Sequence, residues 1–179
     1  YSRFNRWSKD GTIRKILRKL HLRLNKEGYI DPDSWHIDST IVRASRSAAG
    51  ARKKTTESEE PLDHALGRSR GGFGTKIHVI CDNNGIPLAH VVSPGQDHDN
   101  KFVRELLSRV SVRSDKPGRP RTRPRQVHAD KAYSARNTRD LLTKRGIRVN
   151  IPLKSNEKNR RWKFDKLAYR QRNIIERDR

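Results

Sequence analysis

The chain has 179 residues and a net charge of +22, from 42 Lys and Arg against 20 Asp and Glu. Only 31% of its residues are hydrophobic and 35% are charged, so one modest core under a heavily charged surface is expected; no apolar run is long enough for a membrane-spanning helix. An excess of one sign this large repels itself in a compact state unless a polyanion offsets it, which points to nucleic acid as the partner, ahead of an anionic membrane.

Cys81 is the sole cysteine, which excludes an intrachain disulfide and argues against a Cys-based zinc site. A reducing cytoplasmic setting fits. The chain opens at Tyr1 and contains no Met, so a piece of a longer protein is expected.

Tyr1, Phe4 and Trp7 are interleaved with Arg3, Arg6 and Lys9. Such a mixture can stack on and pair with nucleic acid. We expect instead that Phe4 and Trp7 pack into a helical subdomain. Over 12–24, Ile13, Ile16, Leu17, Leu20 and Leu24 follow the 3.6-residue period of an amphipathic helix. Arg14, Lys15, Arg18, Lys19 and Arg23 fall mostly on the other face, which can touch phosphates or stand solvated. Gly28 and the turn Asp31-Pro32-Asp33 close this segment.

Residues 35–43 read as a strand, with β-branched Ile37, Thr40, Ile41 and Val42. No apolar period runs through 45–74. Its bases and glycines read as a long, mobile basic loop, with Glu57, Glu59 and Glu60 solvating it. Residues 75–81 and 86–92 read as strands joined through Asp82-Asn83-Asn84-Gly85, where Asn-Gly between alternating apolar runs predicts a tight hairpin. Three consecutive strands then make an antiparallel meander. Asp97 or Asp99 is expected to cap a helix over 101–110, whose Phe102, Val103, Leu106, Leu107 and Val110 share a face. Residues 113–125 form a Pro- and Arg-rich extended connection. A strand leads into Asp130; a helix over 137–144 stops at Gly146. A short strand over 147–153, a polar basic stretch and a helix over 167–177 complete the chain. The order is an α/β fold with a mixed sheet.

Asp130 stands in Gln126-Val127-His128-Ala129-Asp130-Lys131-Ala132-Tyr133, at the strand end where α/β sheets place their chemistry. Taken alone, it is better explained as a cap of the following turn. Two further acids change the weighing. Asp38 lies in the strand Trp35-His36-Ile37-Asp38-Ser39-Thr40-Ile41-Val42, and Glu176 in the last helical stretch. Acids on three separate elements can converge on one metal site. Tyr169, Arg172 and Glu176 are spaced to share a helix face. Arg172 can grip a phosphate in bidentate fashion, and Tyr169 can donate a hydrogen bond or stack. The plainer reading of Arg172 and Glu176 is a surface ion pair worth about 0.3–0.5 kcal/mol.

Three carboxylates brought together repel, and one holds a proton unless a cation neutralises them. Two Mg²⁺ (or Mn²⁺) ions about 3.5–4 Å apart are the usual remedy in phosphoryl-transfer sites, and carboxylate oxygens suit them. Lys131 is a candidate point charge at the scissile phosphate, or a solvated turn lysine. Arg43, Arg68 and Arg70 are further candidate DNA contacts. His36 and His128 precede the acids by two residues and so share their face of each strand. Packing roles are expected for both, because hard Mg²⁺ prefers oxygen.

These motifs resemble the insertion-sequence DDE transposases, in the branch that includes the insertion-sequence four and five groups. Asp38-Ser39-Thr40 matches the setting of the first family acid. Ala129-Asp130-Lys131-Ala132-Tyr133 matches that of the second. Tyr169, Arg172 and Glu176 match three members of the Tyr-Arg-Glu-Lys signature, whose Lys would lie beyond Arg179. The runs at 68–78 and 94–99 are also similar, so the likeness covers roughly the whole chain. It implies an RNase H-like catalytic domain over 32–179, cut short at its C-terminus, after residues 1–31 as the tail of a helical N-terminal region. It also implies Asp38, Asp130 and Glu176 as catalytic metal ligands. The implied activity is metal-dependent cleavage and strand transfer of DNA on terminal inverted repeats and target DNA, by homo-oligomers in a bacterial, nucleoid-associated setting. Two other readings remain open. One is a DNA-binding remnant without catalysis. The other is a basic RNA-binding protein, which has no need of the three acids.

Overall fold

The computed structural model describes residues 2–45, 47, 65–157, 163–170 and 172–173. Two helices, α1 (Ser2–Lys9) and α2 (Thr12–Lys26), precede strand β1 (Ser34–Arg43). A short β2 (Gly67–Ser69) leads into β3 (Gly72–Asp82) and β4 (Pro87–Pro94). Then come α3 (Val103–Arg109), β5 (Gln126–Ala129), α4 (Arg136–Lys144), β6 (Arg148–Asn150) and α5 (Lys166–Arg170).

The sheet runs β2-β3-β1-β5-β6, with β4 on β3. β1, β3 and β4 pair antiparallel, and β5 and β6 add to β1 in parallel. This is the α/β arrangement with a mixed sheet, three meandering strands followed by alternating helices and strands, that the sequence predicts. The Asn-Gly hairpin forms as expected. Gly85 has φ 83°, the left-handed conformation that glycine takes without strain. Asp82 anchors that turn by accepting the backbone N–H groups of Asn84, Ile86 and Asp31. Burial pushes its carboxyl above the usual range, against the pull of those three bonds.

Alternation along the strands decides where the core lies. Trp35 and Ile37 of β1, Ile80 of β3 and Val127 and Ala129 of β5 belong to one buried cluster with Val103, Leu106 and Leu107 of α3. Leu142 of α4 and Tyr133 join it.

Four expectations need correction. Part of the supposed basic loop is structured: β2 forms, and β3 starts at Gly72. The reason is that Arg68 pairs with Phe73 and Gly67 with Gly74 across a tight reversal; the remaining loop residues, 46 and 48–64, lie outside the described ones. Phe4 and Trp7 do not pack inward. They are 66% and 40% exposed, and α1 has no buried residue although it lies against α2. Ile16, Leu17 and Leu20 of α2 are likewise exposed, so only part of its apolar stripe meets the core, through Leu24. Finally, neither Asp97 nor Asp99 caps α3. A short 3-10 turn, Asp99–Lys101, intervenes, and both acids are engaged elsewhere.

Candidate active site

Asp38 and Asp130 are neighbours. β1 and β5 run parallel in the register Ile37 with Ala129. Asp38 and Asp130 are the next residues of each chain segment, one step past the last pair. Adjacent strands lie about 4.8 Å apart, and in-register parallel neighbours point to the same face. Asp38 is buried and Asp130 half-buried. One oxygen of Asp38 accepts the N–H of Ser39 at 2.8 Å. Oδ1 of Asp130 accepts the N–H of Ala132 at 2.8 Å and so caps the 3-10 turn Lys131–Tyr133. The capping role is therefore present, and it coexists with a place beside Asp38.

Arg172 reaches the same spot. Its Nη2 lies 3.4 Å from Oδ2 of Asp38, and its Nη1 donates to the Tyr169 hydroxyl at 2.8 Å. The guanidinium is nearly buried and also lies over the Tyr169 ring, 5.7 Å from its centre. The two residues expected to share a helix face thus act together. What delivers them is Asn150 at the end of β6. Its side-chain amide donates to the carbonyl of Asp165 and accepts that residue's N–H, both at 2.9 Å, which pins the chain just before α5. Glu176 lies outside the described residues. Lys131, Arg43, Arg68 and Arg70 are exposed, and Arg68 lies over the Phe73 ring at 5.9 Å.

Beneath the acids, His36 and His128 stack with ring centres 4.9 Å apart. They face each other in the β1–β5 register. Because Asp165 fixes the orientation of the Asn150 amide, its Nδ2 donates to Nδ1 of His128, 3.0 Å away, leaving that imidazole neutral. His36 Nε2 meets Oδ1 of Asn83 at 3.1 Å. Burial lowers the proton affinity of both rings. That of His128 falls from 6.5 to about 4, with His36 adding repulsion.

Between pH 6.5 and about 4 the unfolded chain protonates His128 while the folded chain does not. Stability is therefore lost as pH falls through that window, on the order of 3 kcal/mol for this group. His128→Gln should flatten the change in denaturant midpoint between pH 7 and pH 4.5. An unchanged slope would show that the buried ring does not carry this pH dependence.

From the sequence Asp99 can approach the site from the turn before the helix, with capping as the plainer reading. It stands beside the site instead. Its Oδ1 accepts the Ser39 hydroxyl at 3.1 Å and lies 2.9 Å from Nζ of Lys76. The next residue, Asn100, donates to the carbonyl of Ala132 and accepts the Thr138 hydroxyl at 2.9 Å. One turn therefore ties the residue after Asp38 to the turn after Asp130. Gly95 lets that turn sit tight against the sheet, since a Cβ there would lie 2.9 Å from the Gly74 carbonyl and 3.2 Å from that of Gly67. The signal in the sequence was the Pro-Gly-Gln-Asp-His-Asp run itself.

A family model described as the transposase DDE domain matches residues 36–179. The chain belongs to that family. A protein of Burkholderia cepacia, named as a transposase for insertion sequence element IS402, is 32% identical over 84 residues. That match spans 47% of this chain and 40% of the relative's length. A cryo-EM structure of the piggyBac transposase synaptic complex with hairpin DNA overlaps 72% of this chain and 24% of its own, at 15% identity and a TM-score of 0.38.

The donor set of this transposase domain can be tested against a divalent ion. Among the described residues no group of three His, Cys, Asp or Glu side chains could hold a metal. Asp38 and Asp130 nevertheless present hard oxygen donors side by side, and Mg²⁺ commonly uses one or two carboxylates and keeps its waters. The pair fits such an ion. The neutral histidines lie one layer below and bond to asparagines, as expected of packing residues. Among the described residues no helix is long and apolar enough to cross a membrane.

Proposed function

We propose that this transposase domain, over residues 32–179, cleaves DNA strands and joins them to a target with the help of divalent metal held by Asp38, Asp130 and Glu176. Residues 1–31 are then the C-terminal part of a helical N-terminal region, packed on this domain through Leu24 and Ile30. The observation that carries the reading is the adjacency of Asp38, midway along β1, and Asp130, where β5 stops, each one step past the paired Ile37 and Ala129, inside a domain of this family.

The chain's own residues have separable tasks. The Asp38 and Asp130 carboxylates supply hard oxygen ligands from two rigid strands. When bound there, Mg²⁺ or Mn²⁺ would activate the attacking oxygen and stabilise the leaving one. Arg172, held by Tyr169, places a fixed positive charge against Asp38 and tempers the repulsion between the acids. Lys131, exposed beside Asp130, meets a phosphate oxygen in this reading. Arg43, Arg68 and Arg70 extend positive charge along one end of the sheet, where a strand of terminal-repeat or target DNA can lie. Paired ends imply that more than one copy acts at once.

The test is nicking of terminal-repeat DNA with and without Mg²⁺. Metal-dependent nicking by the wild type that vanishes in Asp130→Ala supports the reading; full activity in Asp130→Ala overturns it. The Asp99–Asn100 turn gives a second handle. Asn100→Ala should lower cleavage about 10–100-fold, as loss of a residue that orients a ligand does, at a cost of about 1–2 kcal/mol in stability. Cleavage unchanged in a folded Asn100→Ala protein would show that the tether does not set the spacing of the acids.

A further inference from the structure

A groove of about 300 Å³ runs between α2 and the corner where β4 starts and α3 ends. Its floor is apolar, from Leu17, Leu22 and Leu88. Its walls are basic: Arg14, Arg18 and His21 on one side, Arg109 and Arg113 on the other. Two bonds hold the walls together. His21 Nε2 meets the Pro87 carbonyl at 2.8 Å, and the Asn25 amide donates to the Arg113 carbonyl at 2.9 Å. The groove is therefore built between elements far apart in the chain.

The cations of α2 divide into two kinds. Arg23 pairs with Glu27 at 2.8 Å, and Lys26 lies 3.7 Å from Asp115. Across the groove, Arg109 is held by Glu105 at 2.6 Å. Arg14, Arg18 and Arg113 have no carboxylate partner among the described residues, and all three are exposed. The helix itself contains no acid to offset them. Arg14 and Arg18 are one turn apart, about 6 Å along the axis. Unpaired guanidiniums so spaced, over a floor that sheds water, match the oxygens of a phosphodiester chain.

The location separates this groove from the acids. It abuts Pro87, beside the hairpin that closes where β1 begins, because Trp35 pairs with Asp82 and Cys81 with Pro87. Asp38 and Asp130 face the other end, where β5 stops.

We propose that this groove is a second DNA contact, gripping the phosphate backbone of a duplex away from the Asp38–Asp130 pair. The inference rests on the DNA-handling half of the proposed function and not on its chemistry. A backbone contact reads no bases, so it anchors DNA of any sequence.

The same helix supplies the control. Arg14→Gln/Arg18→Gln and Lys15→Gln/Lys19→Gln remove equal charge one residue out of phase. Binding of the full chain to a fluorescent 30-base-pair duplex would be followed by anisotropy, in EDTA, at salt concentrations from 50 to 200 mM. Each lost phosphate contact lowers the slope of log affinity against log salt by about 0.9. The arginine pair should lower it by about 1.8, which narrows the salt-induced loss of affinity roughly tenfold over that range. Arg113→Gln should remove about 0.9 more. The lysine pair should change it by less than about half a unit.

Equal losses in the two pairs, or none in either, would overturn the proposal, as would tighter groove-dependent binding of an RNA duplex. Far-ultraviolet circular dichroism confirms that each variant is folded, and Arg113→Gln lies outside α2 should the helix be disturbed. Metal-dependent nicking is scored separately. A wild type that never nicks DNA but shows the arginine-specific slope sinks the catalytic reading alone. Asp130-dependent nicking with identical slopes in both pairs sinks this proposal alone.

Discussion

Asp38→Asn and Asp130→Asn are each expected to cut metal-dependent cleavage by at least about 100-fold while leaving the domain folded. Replacing an oxygen ligand removes more than a supporting residue does, and the latter already costs about 10–100-fold. The fold should survive for local reasons. Asparagine keeps an oxygen where Asp38 accepts the Ser39 N–H and where Asp130 accepts the Ala132 N–H. The 3-10 turn at Lys131–Tyr133 therefore remains capped. At Asp38 the contact with Arg172 is lost, because the amide NH2 then stands where Oδ2 accepted from the guanidinium. The readouts are nicking rate and the rise in thermal midpoint on adding Mg²⁺, which reports binding to the folded state without any turnover. The wild type should show the rise and both variants should lose most of it. Variants that nick normally, or gain stability from Mg²⁺ as the wild type does, would remove these two acids from the site.

Trp35→Ala should be the most damaging core substitution. The side chain is fully buried, on the inward face of β1, and its indole N–H donates to the Asp31 carbonyl at 3.0 Å. Truncating a buried Trp costs about 3–5 kcal/mol. A typical domain has only about 5–15 kcal/mol in total, and this one carries +22 of mutually repelling charge. The expected result is a thermal midpoint lowered on the order of 10 °C, or loss of a cooperative transition. Ile41→Ala is the matched control. Ile41 lies on the same strand and the same face but is 43% exposed, so its loss should stay near about 0.5 kcal/mol. Equal effects from the two substitutions would mean that the core does not centre on Trp35.

The sequence by itself determined the elements whose cause is local. Alternation and β-branched residues made β1 legible as a strand, while both of its faces are buried at Trp35, His36, Ile37 and Asp38. Asn84-Gly85 fixed the hairpin, since a tight turn needs a residue at ease with positive φ. The strand before Asp130 and the helix after it were legible for the same kind of reason. The acids Asp38 and Asp130 were legible as candidates through the residues around them.

Their adjacency was not local information. It follows from β5 joining β1 in parallel, and such a pairing is chosen by how the whole sheet buries its faces. The same holds for the elements the sequence misjudged. The periodicity of α2 described an apolar stripe but could not say how much of it finds a partner. Phe4 and Trp7 stayed outside because packing depends on what lies opposite a helix. Asp99 looked like a cap because capping is the commonest use of an acid before a helix. Only the fold brings Ser39 and Lys76 within reach of it, and a cross-strand neighbour outweighs a propensity worth about 1 kcal/mol. The basic groove has the same origin. Its arginines come from α2, from the last residue of α3 and from beyond it, and they face one gap because His21 and Asn25 dock the helix there.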